Sequence, residues 1–254
     1  MSIYQKYVDF INETQLMLPA DQWYFKSDIN YTYMLEHVNP KQGNEYLDII
    51  KKKFSDFYKK NYEILIELCH LNDKYGKTKK NKFKDFTKCS PSNLRYILHS
   101  LLILEHMKKN KLNHVNVIEI GGGYGGLCLF IHKISKLYEI EINSYAIFDL
   151  LEASNLQRKY LESLEIKNVD FYQLDKYNNL NENSFLISTY AFSEIPMSIQ
   201  KIYSKKIINP FTNYGFIAWN NIPVYDFVKD CVIKKEVEYP ITKSNNYFVR
   251  YQPV

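Results

Sequence analysis

The chain has 254 residues, 46% of them hydrophobic and 24% charged, enough for one large α/β domain with a helical extension. Its net charge of +5 and pI near 8.7 are mild basicity, compatible with anionic small molecules such as sugar nucleotides and unlike the concentrated charge of a nucleic-acid-binding arm. Cys69, Cys89, Cys128 and Cys231 are scattered without a C-x-x-C pair, so neither a zinc site nor a disulfide framework is indicated.

The N-terminus, MSIYQKYVDFINE, lacks a signal-peptide core, and no apolar run is long enough to span a bilayer. A soluble, cytoplasmic protein is expected. IYQKYVDFINETQLML reads as a short amphipathic helix ending near Pro19, and TYMLEHVN as another stopped by Pro40. EYLDIIKKKFSDFYKKNYEILIELCHL repeats apolar residues three and four apart, which predicts one long helix. NDKYGKTKKNKFKDF follows as a solvated Lys-rich loop, or in its functional version a mobile lid. Ser90 and Pro91 then suit the cap and first position of a helix continuing through LRYILHSLLILEHMKK. His99 and His106 sit among its leucines, where a lone histidine is more often a packed or surface residue than a catalyst. His37, His70, His114 and His132 form no metal-ligand spacing.

From Val115 the period changes. NVIEI predicts a first strand, followed by the cluster GGGYGG and a helix from Gly125. SYAIFDL, VDFYQL, SFLISTY and GFIAWN predict four more strands. Helices are expected over EASNLQRKYLESL, Pro196 to Ile208 and PVYDFVKDC, and two final strands over VIKKEVEY and NYFVRYQP. Strands alternating with helices predict a parallel sheet, which a last pair without a full helix between them closes in antiparallel fashion.

The glycine cluster follows a strand, where α/β sheets hold nucleotide-like ligands. Gly121, Gly123 and Gly126 fit the dinucleotide pattern G-x-G-x-x-G. Glu119, two residues before the first glycine, weighs against it, because a carboxylate repels a pyrophosphate. It suits the α-ammonium of S-adenosyl-L-methionine, and E-x-G-x-G after a strand is the usual opening of Rossmann-like methyltransferases. Asp149 ends the second strand, where an acid accepts from ribose hydroxyls, and Asp175 follows the third, near an adenine amino group.

MLEHVNPKQGNEYL, SPSNLRY, VIEIGGGYGG, FDLLEASNLQRKYL, STYAFSEIP and the pair Trp219-Asn220 resemble the sugar O-methyltransferases of bacterial and some viral glycan gene clusters, from about Tyr31 to near the C-terminus. The family prefers Asp-Leu-Pro-Glu where this chain has Asp149-Leu150-Leu151-Glu152. The resemblance implies a Rossmann-like class I methyltransferase fold, α/β with a seven-stranded, mostly parallel sheet, and a helical region before it. Residues 1–110 would be the helical region covering the active site, and 111–254 the catalytic domain. It also implies S-adenosyl-L-methionine as cofactor and a saccharide or nucleotide-sugar hydroxyl as acceptor in glycan biosynthesis. The candidate cofactor shell is Glu119, Gly121, Gly123, Tyr124, Gly125, Asp149, Leu150, Asp175 and Tyr190.

O-methylation displaces a sulfonium with a weakly acidic hydroxyl, so alignment and a base both help. Glu194 is the first candidate for that base, or for orienting the hydroxyl, with a helix-capping role as the plain alternative. His99 is held as a second catalytic candidate. Arg95, Tyr96, Ser193 and Asn220 are candidates for the acceptor pocket, Arg95 as a phosphate ligand. No residue pattern indicates a metal, no membrane or nucleic-acid partner is expected, and self-association stays open. The rival readings are a methyltransferase acting on RNA or protein, and a methyltransferase-like scaffold that binds cofactor without catalysis.

Overall fold

The computed structural model describes residues 3–35, 37–241 and 246–254. The chain forms two compact units. The first comprises the described residues of Met1–Leu104 with Gly123–Ile134 and Asn155–Lys167. The second comprises Glu105–Gly122, Ser135–Ser154 and Asn168–Val254.

The first unit is largely helical: α1 (Ile3–Met17), α2 (Ile29–Thr32), α3 (Pro40–Lys53), α4 (Ser55–Lys60), α5 (Tyr62–Asn72) and the start of α6 (Pro91–Lys109). Part of the stretch expected as a second helix, around Glu36, lies outside the described residues. Asn39 and Gln42 form a reciprocal capping box at α3, which satisfies donors that the helix start leaves open. The single long helix expected over residues 45–71 is three pieces. At Asn61 the side-chain amide donates to the Phe57 carbonyl at 2.9 Å, a local bond that competes with the helix ladder. At Phe54 the backbone leaves helical geometry while its N–H still donates to Ile50.

The Lys-rich stretch is irregular with exposed lysines through residue 80, as expected, and then enters a short hairpin. Asn81–Lys82 (β1) pairs antiparallel with Lys88–Cys89 (β2). Phe83, 2% exposed, anchors this hairpin, and the Tyr58 hydroxyl donates to the Asp85 carbonyl across 3.1 Å. As expected, Ser90 caps α6, its Oγ accepting from the Ser92 N–H at 3.3 Å. Two later helices, α7 (Gly126–Ile134) and α8 (Leu151–Ser163), give all or most of their residues to this unit. Its centre is aromatic: Phe25 packs edge to face on Tyr31 and Tyr160, and Tyr124 on Tyr160, while Phe25 and Tyr124 are tilted at 54°.

The second unit carries a seven-stranded sheet of β3 (His114–Ile120), β4 (Glu141–Phe148), β5 (Val169–Tyr172), β6 (Ser184–Thr189), β7 (Thr212–Trp219), β8 (Cys231–Val237) and β9 (Tyr247–Pro253). The spatial order is β5-β4-β3-β6-β7-β9-β8, parallel from β5 through β7, with β9 antiparallel to both β7 and β8. This is the expected Rossmann-like sheet with its antiparallel ending. Chain order reverses at β3, which has β4 on one side and β6 on the other. Open α/β sheets bind ligands beyond the carboxyl ends of strands at such a switch point.

Period-2 alternation buries Ile118, Ile120, Phe148, Leu186, Ile217 and Trp219 in one core. After β6 come α9 (Ala191–Glu194), α10 (Met197–Tyr203), a π turn over Ser204–Ile208 and α11 (Asn209–Phe211). The helix expected over residues 196–208 thus widens in its second half, where the Asn209 amide takes the Ser204 carbonyl at 2.6 Å. The helix expected over PVYDFVKDC is absent. That segment is irregular, and Tyr225 and Phe227 pack on Trp219 at 5.6 and 5.5 Å. Pro223 disfavours helical geometry at Ile222, and Asn209 serves the backbone instead, donating to the Phe227 carbonyl and accepting from the Lys229 N–H.

Candidate active site at the strand ends

Within the sheet unit, β3 ends at Ile120 and the glycine turn begins. Gly121 has φ +77°, and a Cβ there would stand 2.1 Å from the Ala191 side chain. Only glycine lets the turn and the first residue of α9 come this close. Ser188 ties the same two segments, its hydroxyl donating to the Ile120 carbonyl at 2.8 Å and accepting from the Phe192 N–H at 3.1 Å.

Glu119, 1% exposed, receives the Tyr145 hydroxyl at 2.8 Å. Burial pushes its carboxyl up to about 8; the Tyr145 bond opposes that rise and the nearby Asp149 charge adds to it. Asp149, just past β4, is committed to backbone. One oxygen accepts from the Gly122 N–H at 2.9 Å and the other from the Leu150 N–H at 2.8 Å. An N–H that a dinucleotide site would turn toward phosphate is already occupied, and by an anion. The turn is therefore flanked by the Asp149 carboxylate and by a second acid, Glu119, that a cation would draw into its ionised form, an arrangement that suits a cation better than a phosphate. Asp175 is exposed in a tight turn closed by a Gln173–Lys176 bridge.

A second set gathers after β6. Tyr190 has φ +72°, uncommon for a residue with a side chain. Its carbonyl accepts from the Ser193 and Glu194 N–H groups and from the Ser193 hydroxyl, at 3.0, 3.1 and 2.9 Å. Ser193 and Asn220 are both buried and bonded to each other: Ser193 Oγ donates to Asn220 Oδ1 at 2.6 Å, and the Asn220 N–H donates to Ser193 Oγ at 3.0 Å. The Asn220 amide also donates to Glu194 Oε1. Glu194 itself is exposed. The start of α10 at Pro196 has no side-chain cap bond.

Tyr145, Ser188, Ala191, Glu238 and Asn246 were not singled out from the sequence. The Tyr190 hydroxyl donates to Glu238 Oε1, and the Asn246 amide donates to Glu238 Oε2 at 2.7 Å. Their separations in the chain hide these partnerships. Glu238 stands in a run read only as strand.

The remaining candidates belong to the helical unit. The Tyr124 hydroxyl receives the Asn72 amide at 3.0 Å, and its ring occupies the space a Cβ on Gly126 would need. Gly125 (φ +94°) faces Leu161, and Gly123 (φ +59°) faces Leu35. Tyr96 is partly buried and packs edge-on to Tyr124 at 6.1 Å. Arg95 is 6% exposed. His99, 1% exposed, is held down to about 3 by burial first and by the Arg95 charge second. Among the described residues, no three His, Cys, Asp or Glu side chains gather as a metal site, and no helix is long and apolar enough to cross a membrane.

No protein-family model and no curated protein matches the sequence. Solved structures do match. TrmK of M. capricolum, in complex with S-adenosyl-homocysteine, is 12% identical over 60% of this chain and 66% of its own, with a TM-score of 0.41. A SAM-dependent methyltransferase from Aquifex aeolicus is 17% identical over 60% of this chain and 91% of its own, with a TM-score of 0.40. The mitomycin 7-O-methyltransferase MmcR is 6% identical over 100% of this chain and 69% of its own, with a TM-score of 0.46. In three of the matches the chain spans only 48%, 66% and 22% of the other protein's length. Function is therefore read from the strand ends themselves.

Proposed function

We propose that the protein is an S-adenosyl-L-methionine-dependent O-methyltransferase whose acceptor is a sugar hydroxyl, free in a glycan or carried on a nucleotide. The observation that carries the cofactor reading is the Asp149 carboxylate on the Gly122 N–H beside the buried Glu119. Two acids at the turn disfavour a pyrophosphate and favour a ligand that is cationic at its methionine end. Glu119 faces the α-ammonium, which draws its raised carboxyl back to the ionised form. Asp149, at the end of β4, accepts from the ribose hydroxyls. When bound, the cofactor supplies an electrophilic methyl group. The residues after β6 meet the acceptor: Glu194, exposed and steadied by Asn220, orients its hydroxyl or takes its proton. The sugar class rests on the resemblance carried by FDLLEASNLQRKYL and STYAFSEIP.

Calorimetry with S-adenosylhomocysteine and with NAD tests the cofactor. Binding of the first alone is expected, and binding of NAD alone sinks the reading. A methyl-transfer screen over nucleotide sugars, free glycans and RNA then tests the acceptor. Label on a saccharide is expected; label on RNA alone overturns the sugar class.

A further inference from the structure

We propose that Tyr190 is the catalytic residue that accepts the hydrogen of the acceptor hydroxyl, and that Glu238 is the positioning residue behind it. This rests on the methyl-transfer reading. Tyr190 continues the β6–β7 ladder, its N–H donating to the Ala218 carbonyl at 2.8 Å. Its left-handed backbone is sustained by three hydrogen bonds to its carbonyl. Backbone strain held in this way at a strand end is a mark of functional sites.

The phenol has one proton and two lone pairs. That proton is committed to Glu238 Oε1. Toward any ligand the Tyr190 oxygen is therefore only an acceptor, which fits a hydroxyl and not a carbonyl. Glu238 is 1% exposed and is held by Asn246: Oε2 receives the Asn246 amide at 2.7 Å, and its own N–H donates to the Asn246 carbonyl at 3.0 Å. Tyr190 itself is only half-buried, so the phenol links a buried carboxylate to the open strand end.

In the reaction, Tyr190 Oη takes the acceptor's proton as the phenol's own proton passes to Glu238. The acceptor oxygen gains the methyl carbon, and the carbon–sulfur bond breaks with its electron pair left on sulfur. Tyr190 stays neutral throughout, and Glu238 ends protonated and returns the proton to solvent after product leaves. Glu194 orients the hydroxyl.

The experiment uses the full chain labelled with ¹³Cζ-tyrosine, in wild type, Y190F, E238Q, E238D and E194Q, each with S-adenosylhomocysteine. Y190F identifies the Tyr190 resonance. E238Q is expected to shift it and E194Q to leave it in place. With the saccharide acceptor found in the screen, single-turnover rates are expected to fall about 10²-fold or more in E238Q and Y190F. The loss should come with unchanged S-adenosylhomocysteine affinity and a flattened pH profile, E238D should recover part of the rate, and E194Q should lose less than tenfold. A Tyr190 resonance unmoved in folded E238Q, or wild-type rates and pH profile in that variant, overturns the proposal. Failure of the wild type to bind S-adenosylhomocysteine overturns the methyl-transfer reading instead.

Discussion

Asp149 accepts a hydrogen bond from the Gly122 N–H at 2.9 Å, which ties the end of β4 to the turn after β3. One carboxylate thus both shapes the turn and stands where the ribose is proposed to bind. The two roles separate by substitution. Asp149→Asn keeps one acceptor oxygen, for Gly122, but turns its amide N–H2 toward the Leu150 N–H and loses the charge. It should lower stability by about 1 kcal/mol, less than the alanine variant, and weaken S-adenosylhomocysteine binding by about 1–2 kcal/mol. Asp149→Ala leaves Gly122 and Leu150 without this partner, and should lose about 1–3 kcal/mol of stability as well as affinity. Denaturant unfolding and calorimetry on the same samples check this. Equal affinity in wild type and a folded Asp149→Ala variant removes the residue from the cofactor site.

Glu119 gives a pH signature. Its carboxyl titrates near 4.5 when unfolded and near 8 when folded, through burial above all. The unfolded state therefore releases the proton first, and the contribution of this group to stability is fully present below pH 4.5 and lost as pH rises through about 8. Glu119→Gln preserves an acceptor for the Tyr145 hydroxyl and has no proton to lose. At pH 7 it should stabilise the ligand-free protein by roughly 3 kcal/mol, with the gain shrinking toward pH 4.5. Binding of a cationic ligand to wild type should release a proton near neutral pH, detected by calorimetry in buffers of different ionisation enthalpy. A Glu119→Gln variant with unchanged stability at pH 7 would mean that the wild-type carboxyl is not buried as described.

Much of the frame was legible because local chemistry and global fold agree. Alternating apolar runs marked the strands, and GGGYGG marked the turn through conformations only glycine takes easily, φ +77° at Gly121 and +94° at Gly125. What stayed hidden depended on distant partners. The hairpin in the Lys-rich stretch hangs on Phe83, a single apolar anchor among charges. Residues 223–231 show no helix because Asn209, a dozen or more positions earlier, serves their backbone. Glu238 alternates like any strand residue, and nothing local announces that the Tyr190 hydroxyl reaches it. For Glu194 the sequence left base and helix cap open, and nothing local announced that the Asn220 amide reaches it.

Gly121 and Ala191 form a size constraint that a rescue experiment can expose. A Cβ on Gly121 would meet the Ala191 Cβ at 2.1 Å, and φ +77° adds backbone cost. Gly121→Ala should therefore lose about 2–4 kcal/mol and displace α9. Gly123→Ala, whose Cβ would meet Leu35 at an ordinary 3.5 Å, should lose only about 1 kcal/mol for its positive φ. The double variant Gly121→Ala/Ala191→Gly removes the clash but not the backbone term, and should recover more than half of the loss. Urea unfolding of the three variants decides it. No recovery in the double variant would place the cost of Gly121→Ala entirely in the backbone.

Asn220 and Glu194 should respond in opposite ways. Asn220 is 3% exposed, and its side chain both accepts from Ser193 and donates to Glu194. Asn220→Ala removes one partner of the buried Ser193 hydroxyl, which keeps the Tyr190 carbonyl and the Asn220 N–H, and frees the Glu194 carboxylate, so it should cost about 1–2 kcal/mol of stability. Glu194 is exposed and is the acid in the first turn of the short α9. Glu194→Gln should therefore stay within about 0.5 kcal/mol of wild type in stability. Its kinetic effect belongs to the acceptor alone. Glutamine offers the hydroxyl a carbonyl oxygen in place of a carboxylate, so the Michaelis constant for the saccharide should rise several-fold while S-adenosylhomocysteine affinity holds. In Asn220→Ala the freed carboxylate loses its orientation, and the same Michaelis constant should rise with it. Melting curves, calorimetry and steady-state kinetics on both variants test the pair. A large drop in melting temperature for Glu194→Gln, with an unchanged Michaelis constant, would show that Glu194 serves the fold rather than the acceptor.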